Sequence, residues 1–214
     1  MSVDTECTQA ILRPIAFHLK SIDPTTTVIK EKIKFKGQLY GIKDIQKIPT
    51  DLTPVGMKED DSNVLFCGET CPLSNLFECQ IVIGNTEYKS SEHFYQSEKC
   101  KSLGKADIAQ KVMEAKTPRE AMLVGKAVRP PPGWVKVTGV DIMKAVIAEK
   151  AAQVPLFRQL LIKLQGKTLV ESTVNRVWGN GVSLHSKDAL NKHTWHGENL
   201  LGKVLSEIQK SLKK

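Results

Sequence analysis

The amino-acid sequence predicts an α+β fold, in which a compact and mainly α-helical domain with a few short β-strands follows a β-rich N-terminal arm. Apolar residues at helical spacing run through most of the chain after residue 91, whereas strand-like alternation lies mostly before it. Charge also divides the chain: residues 1–61 hold nine basic and nine acidic residues, so the whole net charge of +8 lies in residues 62–214. We therefore predict an N-terminal extension over residues 1–62 and the main domain over residues 63–214.

The extension contains a predicted β-hairpin followed by a linker. In the stretch KIKFKGQLY, apolar Ile33 and Phe35 alternate with lysines, and Gly37-Gln38 provides a turn before a strand that ends at Tyr40. Residues 47–63 contain two prolines, one glycine and an acidic run. Such a composition is typical of a linker.

The main domain opens with strand-like stretches and continues with helices. The sequence predicts a hairpin turn at Gly84-Asn85 and a helix that begins at Glu92 with Ser91 as its cap. Thr117 and Glu120 have the spacing of a capping box. Further helices are predicted over KADIAQKVMEA, over DIMKAVIAEKAAQ from Asp141, over PLFRQLLIKL from Pro155 and over GENLLGKVLSEIQKSLKK, with a strand over VLFC and another over KTLVES.

Composition excludes several classes of protein. No apolar run approaches 18 residues, so we expect no transmembrane helix and no membrane partner. The N-terminus has acidic residues where a signal peptide needs positive charge. Five cysteines are an odd number, which fits free thiols in a reducing compartment. We expect a cytoplasmic or nuclear location, and the sequence does not indicate an oligomeric state.

The sequence predicts no metal site and no familiar nucleotide-binding motif. Cys67 and Cys71 are four positions apart, but no second close pair completes a zinc site. His193 and His196 have neither a helical pattern nor a nearby acid to support metal binding. The chain also lacks a P-loop, a GxGxxG motif and a Ser-His-Asp order.

The positive charge of the main domain favours anionic partners. A field of this sign attracts phosphates or nucleic acid. The same charge can serve solubility alone, and the sequence leaves both interpretations open.

The stretch SSEHFYQSEK, residues 90–99, is the first candidate site. Glu92 and Gln96 project from one face of the predicted helix, with Lys99 one step further along. The helix dipole favours the anionic form of an acid in the first turn, which would keep Glu92 available as a base or as a stabiliser of positive charge. Acids are common in first turns for this reason alone, so a solvated helix face is the alternative.

Three tryptophans form the second candidate group. Trp134 follows the stiff stretch RPPPG, and Trp178 lies in the glycine-rich run VWGNG. Rings exposed on such loops can stack on a nucleobase, although each ring, like that of Trp195, could equally lie at the edge of the core. Gly197-Glu198-Asn199 precedes the last helix, whose N–H groups could hold a phosphate.

The order of these pieces resembles the NADAR family, also called YbiA-like. The resemblance rests on PLSNLFECQIVIGNTEYKSSEHFYQSEK, on AKTPREAMLVGKAV, on IMKAVIAEK after a Trp, on LLIKLQGKTLVEST, on WGNG and on GENLLGKVL. It covers about residues 64–210 and leaves residues 1–62 outside. It implies a compact, mainly α-helical fold with a few short strands.

The resemblance also implies an activity. Family members hydrolyse N-glycosidic bonds on phosphorylated ribose; some cleave riboflavin-pathway intermediates, and others remove ADP-ribose from guanine bases in DNA. We therefore expect a hydrolase that removes ADP-ribose from ADP-ribosylated guanine in nucleic acid, without a metal or redox cofactor. Its partners would be an ADP-ribose-containing substrate and nucleic acid.

Site residues follow from the resemblance and from the residue chemistry. The predicted catalytic residues are Glu92, Trp134 and Asn175. The predicted substrate-binding residues are Asn75, Gln96, Lys99, Arg129, Glu171, Trp178, Gly179, Asn180, Gly181 and Asn199.

Asn175 departs from the family pattern. An Asp usually stands three residues before the Trp-Gly pair, and here that position is Asn175, in a segment one residue shorter than usual. An amide cannot act as a base. A non-catalytic ADP-ribose-binding module therefore stays open as one alternative to the expected activity. An N-glycosidase of riboflavin-pathway intermediates is the other alternative.

Overall fold

The computed structural model describes residues 16, 19, 24–29, 32–35, 37–41 and 56–212. Its strands are β1 (Thr27–Ile29), β2 (Lys32–Phe35), β3 (Gln38–Gly41), β4 (Met57–Glu59), β5 (Asn63–Phe66), β6 (Ile81–Ile83), β7 (Thr86–Tyr88) and β8 (Thr168–Glu171). Its helices are α1 (Ser91–Ser102), α2 (Ala106–Glu114), α3 (Pro118–Gly125), α4 (Thr138–Gln153), α5 (Pro155–Lys163) and α6 (Leu200–Ser211), with 3₁₀ turns at Trp134–Lys136 and Lys192–Thr194. The α+β prediction is confirmed.

The strands form three small sheets. Strands β1, β2 and β3 form an antiparallel sheet in which Phe35 pairs with Gln38, so the predicted hairpin is present and Gln38 already belongs to its second strand. Strands β6 and β7 form the predicted hairpin around Gly84-Asn85. In the third sheet β5 lies between β4, which is antiparallel to it, and β8, which is parallel.

The predicted linker contains a strand that the sequence analysis missed. Met57–Glu59 pairs with β5 across the acidic run, and Glu59 Oε2 forms an ion pair with Lys167 Nζ at 2.8 Å. Strand pairing therefore crosses residue 62, while the proposed domain boundary there stays a prediction. The remainder of the predicted linker, residues 47–55, lies outside the described residues.

The predicted helix starts lie within a few residues of the observed ones. The cap of α1 is Ser90 rather than Ser91, and its hydroxyl accepts the His93 N–H at 3.2 Å. At α3 the Thr117 hydroxyl accepts the Glu120 N–H at 3.1 Å, as predicted. Helix α4 begins at Thr138, earlier than the predicted Asp141, because the 3₁₀ turn at Trp134–Lys136 leads directly into it.

The main core lies around α4. This helix packs against α1, α5 and α6, and α1 also packs against α2 and α3. Large side chains around α4 are fully buried in one cluster, among them Phe66, Leu73, Ile81, Met143, Ile147, Phe157, Leu161 and Leu201, while α2 and α3 contribute to a second cluster. Within the described residues no helix has the length and apolar character to cross a membrane.

One buried side chain in this core carries a charge. Lys150 of α4 is 0% exposed, and its ammonium donates to the carbonyl oxygens of Pro72 at 2.8 Å and Ser74 at 3.0 Å. It also lies over the rings of Phe157 and Phe77, at 4.6 and 5.6 Å from their centroids. Burial lowers the pKa of this lysine. The interaction ties the loop over residues 72–75 to the central helix.

Replacing Lys150→Met should lower the free energy of unfolding by about 2–4 kcal/mol. Two buried carbonyl groups would lose their donor, at about 1–3 kcal/mol each, and relief of the buried charge would offset only part of that cost. Lys144→Met is the matched control on the same helix, since its exposed ion pair with Glu207 contributes less than about 1 kcal/mol. Equal losses for the two variants in urea denaturation would show that Lys150 does not anchor the loop.

Candidate active site

The first turn of α1 places Glu92 on a buried face of the helix. Its backbone N–H donates to the carbonyl oxygen of Asn75 at 3.2 Å, so the start of the helix is fixed by the loop that Lys150 anchors. Glu92 is only 8% exposed. It does not project into open water, and the alternative of a solvated helix face is therefore wrong.

Polar neighbours surround the Glu92 carboxyl group. Gln96 Nε2 donates to Glu92 Oε1 at 2.7 Å, which leaves Oε2 without a hydrogen bond from the described residues. Burial raises the pKa of Glu92, while the Gln96 hydrogen bond and the positive charges of Lys99 and Lys126 lower it. Burial is the largest of these influences, so the pKa of Glu92 lies above the ordinary value of a glutamate.

A second carboxyl group lies nearby at the end of β8. Because β5 and β8 are parallel, their carboxyl ends share one edge of the sheet, where Phe66 pairs with Glu171. Burial, together with the negative charge of Glu92, raises the pKa of Glu171 to about 8. No described side chain donates a hydrogen bond to the Glu171 carboxyl group. The negative charge of an ionised Glu92 therefore favours the protonated form of Glu171.

Aromatic rings from three segments meet beside these acids. The Tyr95 and Trp178 rings are 5.3 Å apart in an edge-to-face arrangement, with an interplanar angle of 81°. The Trp134 ring and the Tyr95 hydroxyl both contact Gly139, where a β-carbon would lie 3.1 and 3.3 Å from them. An ion pair at 2.9 Å between Lys136 and Glu198 joins the Trp134 segment to the loop that precedes α6.

The loop around Trp178 is held by its own polar groups. Asn175 Oδ1 accepts the N–H groups of Val177 at 2.9 Å and Trp178 at 3.0 Å. An Asp would accept the same two bonds, so the amide preserves the turn. The structure gives Asn175 a structural role, and its catalytic role stays a prediction.

The two glycines of this loop serve packing within the protein. A β-carbon at Gly179 would lie 2.5 Å from Thr173 Oγ1 and 2.8 Å from the Glu171 carbonyl oxygen. Gly181 has a φ of 82°, which favours glycine. Both glycines thus lie close to neighbouring protein atoms, and approach of their backbone to a ligand stays a prediction.

Several polar atoms near the two acids are buried without a partner among the described residues. They are Asn75 Oδ1, Gln96 Oε1 and Asn180 Nδ2. Buried polar groups normally find partners. The Asn180 N–H donates to the Glu171 carbonyl oxygen at 2.8 Å, the Asn75 carbonyl oxygen accepts the Glu92 N–H, and Gln96 donates to Glu92 Oε1.

Asn199 and the N–H groups at the start of the last helix bond within the protein, and their predicted contacts with substrate stay predictions. Asn199 Oδ1 accepts the Glu171 N–H and its Nδ2 donates to the Leu169 carbonyl oxygen, both at 2.9 Å, so the amide completes the edge of β8. The N–H groups of residues 198–201 donate to the carbonyl oxygens of residues 176–179. A phosphate would therefore find these donors of the last helix already occupied.

Other sequence candidates lie away from the acid pair. Arg129 is exposed, and no described contact brings it to Glu92. Trp195 donates from Nε1 to the Ala189 carbonyl oxygen at 2.8 Å and packs on a separate apolar cluster, as a core-edge ring does. A shallow depression lined by Asp60, Asp61, Ser62, Asn63, Leu190, Asn191, Lys192 and His193 shares no residue with the acid pair.

Tyr95 and Lys126 are members of the site that sequence reasoning missed. Tyr95 lies three positions after Glu92, on a neighbouring side of α1, and this spacing could have indicated it. Lys126 follows α3, and nothing in the sequence relates it to Glu92. In the part of the chain that the structure describes, no group of three or more His, Cys, Asp or Glu side chains could hold a metal.

Comparisons with known proteins support the resemblance to the NADAR family. The NADAR domain model matches residues 60–213. The protein irg-1 of Caenorhabditis elegans is 28% identical over 180 residues, which cover 75% of this chain and 85% of irg-1. An N-glycosidase of Acanthamoeba polyphaga mimivirus is 31% identical over 126 residues, or 58% of this chain and 74% of the viral protein.

Two further similarities are more limited. A riboflavin biosynthesis protein of Vibrio vulnificus is 26% identical over 162 residues, and the match covers 74% of this chain but 38% of the Vibrio protein. The solution structure of Escherichia coli YbiA matches with a TM-score of 0.55 at 21% identity, covering 73% of this chain and 88% of YbiA. At that identity the likeness to YbiA shows the fold alone.

Asn199→Ala should lower the free energy of unfolding by about 2–4 kcal/mol, because two partly buried hydrogen bonds to β8 are lost. Asn199 has a φ of 52°, so Asn199→Gly, which loses the same bonds without left-handed strain, should be about 1 kcal/mol more stable than Asn199→Ala. Thermal or urea denaturation measures both. An Asn199→Ala variant of unchanged stability but weakened ligand binding would restore the role in substrate binding.

Proposed function

Because the chain belongs to the NADAR family, we propose that it is an N-glycosidase that hydrolyses the bond between C1′ of a ribose and a nitrogen of a base. One observation carries the proposal: two carboxyl groups, Glu92 and Glu171, interact electrostatically beside a group of aromatic rings, and the pKa of each is raised above the ordinary value of a glutamate. A relative of this chain is named an N-glycosidase, which supports the same reaction class.

The ionised Glu92 carboxylate supplies the negative charge that the reaction needs. Breaking the C1′–N bond builds positive charge on C1′ and on the ring oxygen of the ribose. Gln96 holds Oε1 in place, so the unbonded Oε2 can stabilise that charge and accept a proton from the attacking water. The water oxygen then forms the new bond to C1′.

The protonated Glu171 supplies a proton to the departing base. Its carboxyl group has no hydrogen bond from the described side chains, and burial keeps it neutral near pH 7. A neutral carboxylic acid can donate to the leaving nitrogen as the C1′–N bond breaks. The water proton taken by Glu92 and the proton given by Glu171 balance, so a later exchange with solvent restores both acids.

The aromatic rings provide the surfaces that a base or sugar requires. Tyr95, Trp134 and Trp178 come from α1, from the turn before α4 and from the loop after β8. Stacking on such rings contributes about 1–3 kcal/mol per base. We propose Trp134 and Trp178 as the residues that contact the base or the ribose.

For the substrate, we propose ADP-ribose attached to guanine in nucleic acid. The net charge of +8, carried entirely by residues 62–214, supports a polyanionic substrate. Hydrolysis of a riboflavin-pathway ribosylamine is the second candidate, favoured by the similarity to the Vibrio riboflavin biosynthesis protein. A non-catalytic ADP-ribose-binding module is less favoured, because Asn175 forms the turn that an Asp would form.

A direct assay separates these candidates. The full chain is incubated with ADP-ribosylated DNA and, separately, with a riboflavin-pathway N-riboside, and the released ADP-ribose or base is measured by chromatography. Release from DNA supports the proposal, and release only from the riboflavin-pathway compound supports the second candidate. Tight binding without release in either case would contradict the enzymatic function.

Glu92→Gln should reduce kcat by about a hundredfold or more, because the amide keeps the shape but cannot stabilise the positive charge or accept a proton. Stability should change by no more than about 1 kcal/mol, since the dipole contribution of a first-turn acid is of that size. Steady-state kinetics and thermal denaturation test the two parts. A variant with nearly full turnover would exclude Glu92 as the catalytic base.

The acid pair should give a bell-shaped dependence of kcat/KM on pH. Activity should rise as Glu92 loses its proton, at a pH above the ordinary range of a glutamate, and should fall as Glu171 loses its proton near pH 8. Glu171→Gln should lower the rate and remove the alkaline limb, because an amide does not titrate. An alkaline limb that persists in Glu171→Gln would assign it to another group.

A further inference from the structure

The sheet of β1, β2 and β3 in the N-terminal arm has one buried and one exposed face. Along β2 the side chains of Ile33 and Phe35 are fully buried, whereas those of Lys32 and Lys34 are exposed. Alternate residues of a strand point to opposite sides of its sheet. The two lysines therefore project together from the face that does not enter a core.

The strand register shows which residues share this face with the lysines. Directly paired residues of an antiparallel sheet point to the same side. The residues that pair with the two lysines are Thr27, Ile29, Leu39 and Gly41. None of them is acidic, and the side chains of Ile29 and Leu39 are 45% and 51% exposed. We call the surface of Thr27, Ile29, Lys32, Lys34 and Leu39 the basic sheet face.

The two lysines lie close together without an acidic partner. Because a strand rises about 3.4 Å per residue, the α-carbons of Lys32 and Lys34 are about 7 Å apart. Among the described residues neither forms an ion pair, whereas Lys136 and Lys144 each do. Residues 27–41 contain four lysines and one glutamate, although the arm as a whole is neutral. Positive charge is therefore concentrated on this sheet.

Solubility alone does not explain this arrangement. Lysines that prevent aggregation are useful on edge strands, where they block pairing with a second sheet. Strand β2 lies in the middle of its sheet and is paired on both sides, so it has no edge to protect. A surface that served solubility would also not expose Ile29 and Leu39 beside the lysines.

We propose that the basic sheet face binds the sugar-phosphate backbone of double-stranded nucleic acid. The ammonium groups of Lys32 and Lys34 would contact phosphates, and the aliphatic side chains of Ile29 and Leu39 would contact the sugars between them. This inference rests on the proposed function, in which the substrate is a modified base in nucleic acid. It gives the arm a role in holding that substrate, apart from the chemistry at Glu92.

The composition of the face favours a duplex over a single strand or a membrane surface. Single strands bind where aromatic rings can stack on the bases, and aromatic rings are also enriched at membrane interfaces. The aromatic residues described in this sheet, Phe35 and Tyr40, are buried. Point charges and small apolar groups remain, which can contact a backbone but cannot read bases. Binding should therefore be independent of sequence and strongly dependent on salt.

The test measures binding of the full chain to a short fluorescent DNA duplex by fluorescence anisotropy at several salt concentrations. The duplex carries unmodified bases. Lys32→Gln combined with Lys34→Gln should weaken binding by about tenfold at low salt and should lower the slope of log K against log salt by about 2, because each lost phosphate contact removes about 0.9.

Two matched variants separate position from charge. Lys105→Gln combined with Lys111→Gln removes two exposed lysines at α2, and this control should weaken binding much less. Lys32→Arg combined with Lys34→Arg keeps both positive charges and should bind the duplex as wild type does. Thermal denaturation shows whether each variant is folded.

Three outcomes would overturn the proposal. They are no binding of the duplex by wild type, equal losses in the two glutamine double variants, and unchanged binding of the duplex when Lys32 and Lys34 are replaced. If that last variant instead loses binding to phosphatidylserine vesicles, the face is a membrane-binding surface.

Failure of the proposed function is distinguishable from failure of this surface, because the duplex carries no ADP-ribose and its binding needs no turnover. A protein that releases ADP-ribose from modified DNA but fails the binding test keeps the glycosidase function and loses the surface. A protein that binds the duplex through Lys32 and Lys34 but hydrolyses no N-riboside keeps the surface and loses the glycosidase assignment.

Discussion

The buried ammonium group of Lys150 is the interaction on which the rest of the site depends. It has no carboxylate partner in the described residues, and two backbone carbonyl groups and two aromatic rings compensate its charge. Those carbonyl groups belong to the loop whose next residue, Asn75, accepts the N–H of Glu92. The position of the proposed catalytic acid is therefore set from the central helix, through one charge and a few backbone bonds.

The surroundings of two chemically identical side chains assign them different roles. Glu92 receives a hydrogen bond from Gln96 and the influence of two lysines, so it ionises first. Burial of Glu171 and the negative charge of Glu92 both favour the neutral form of Glu171. A pair of acids whose pKa values are pushed apart can take and give a proton at the same pH, which is the requirement of the proposed hydrolysis.

Sequence reasoning predicted what depends on neighbours along the chain. Hairpin turns at Gly84-Asn85, the Thr117 cap and the shared face of Glu92 and Gln96 all follow from interactions within about five residues. It could not decide where a local pattern has two physical uses. The glycines of the WGNG run and the amide of Asn199 have the chemistry of ligand contacts, yet neighbouring backbone occupies them. The same pattern cannot show which partner will be present.

The sequence by itself determined the α+β class, the family resemblance, the helix that carries Glu92 and the positive charge of the main domain. The tertiary structure alone decided which distant residues meet that helix. Glu171 is 79 positions from Glu92, and the parallel pairing of β5 with β8 brings its strand to the shared edge. Lys126 reaches the site because Gly125 lets α3 approach α1. Such contacts depend on packing and strand pairing between segments far apart in the chain, and no spacing of residue types along the sequence records them.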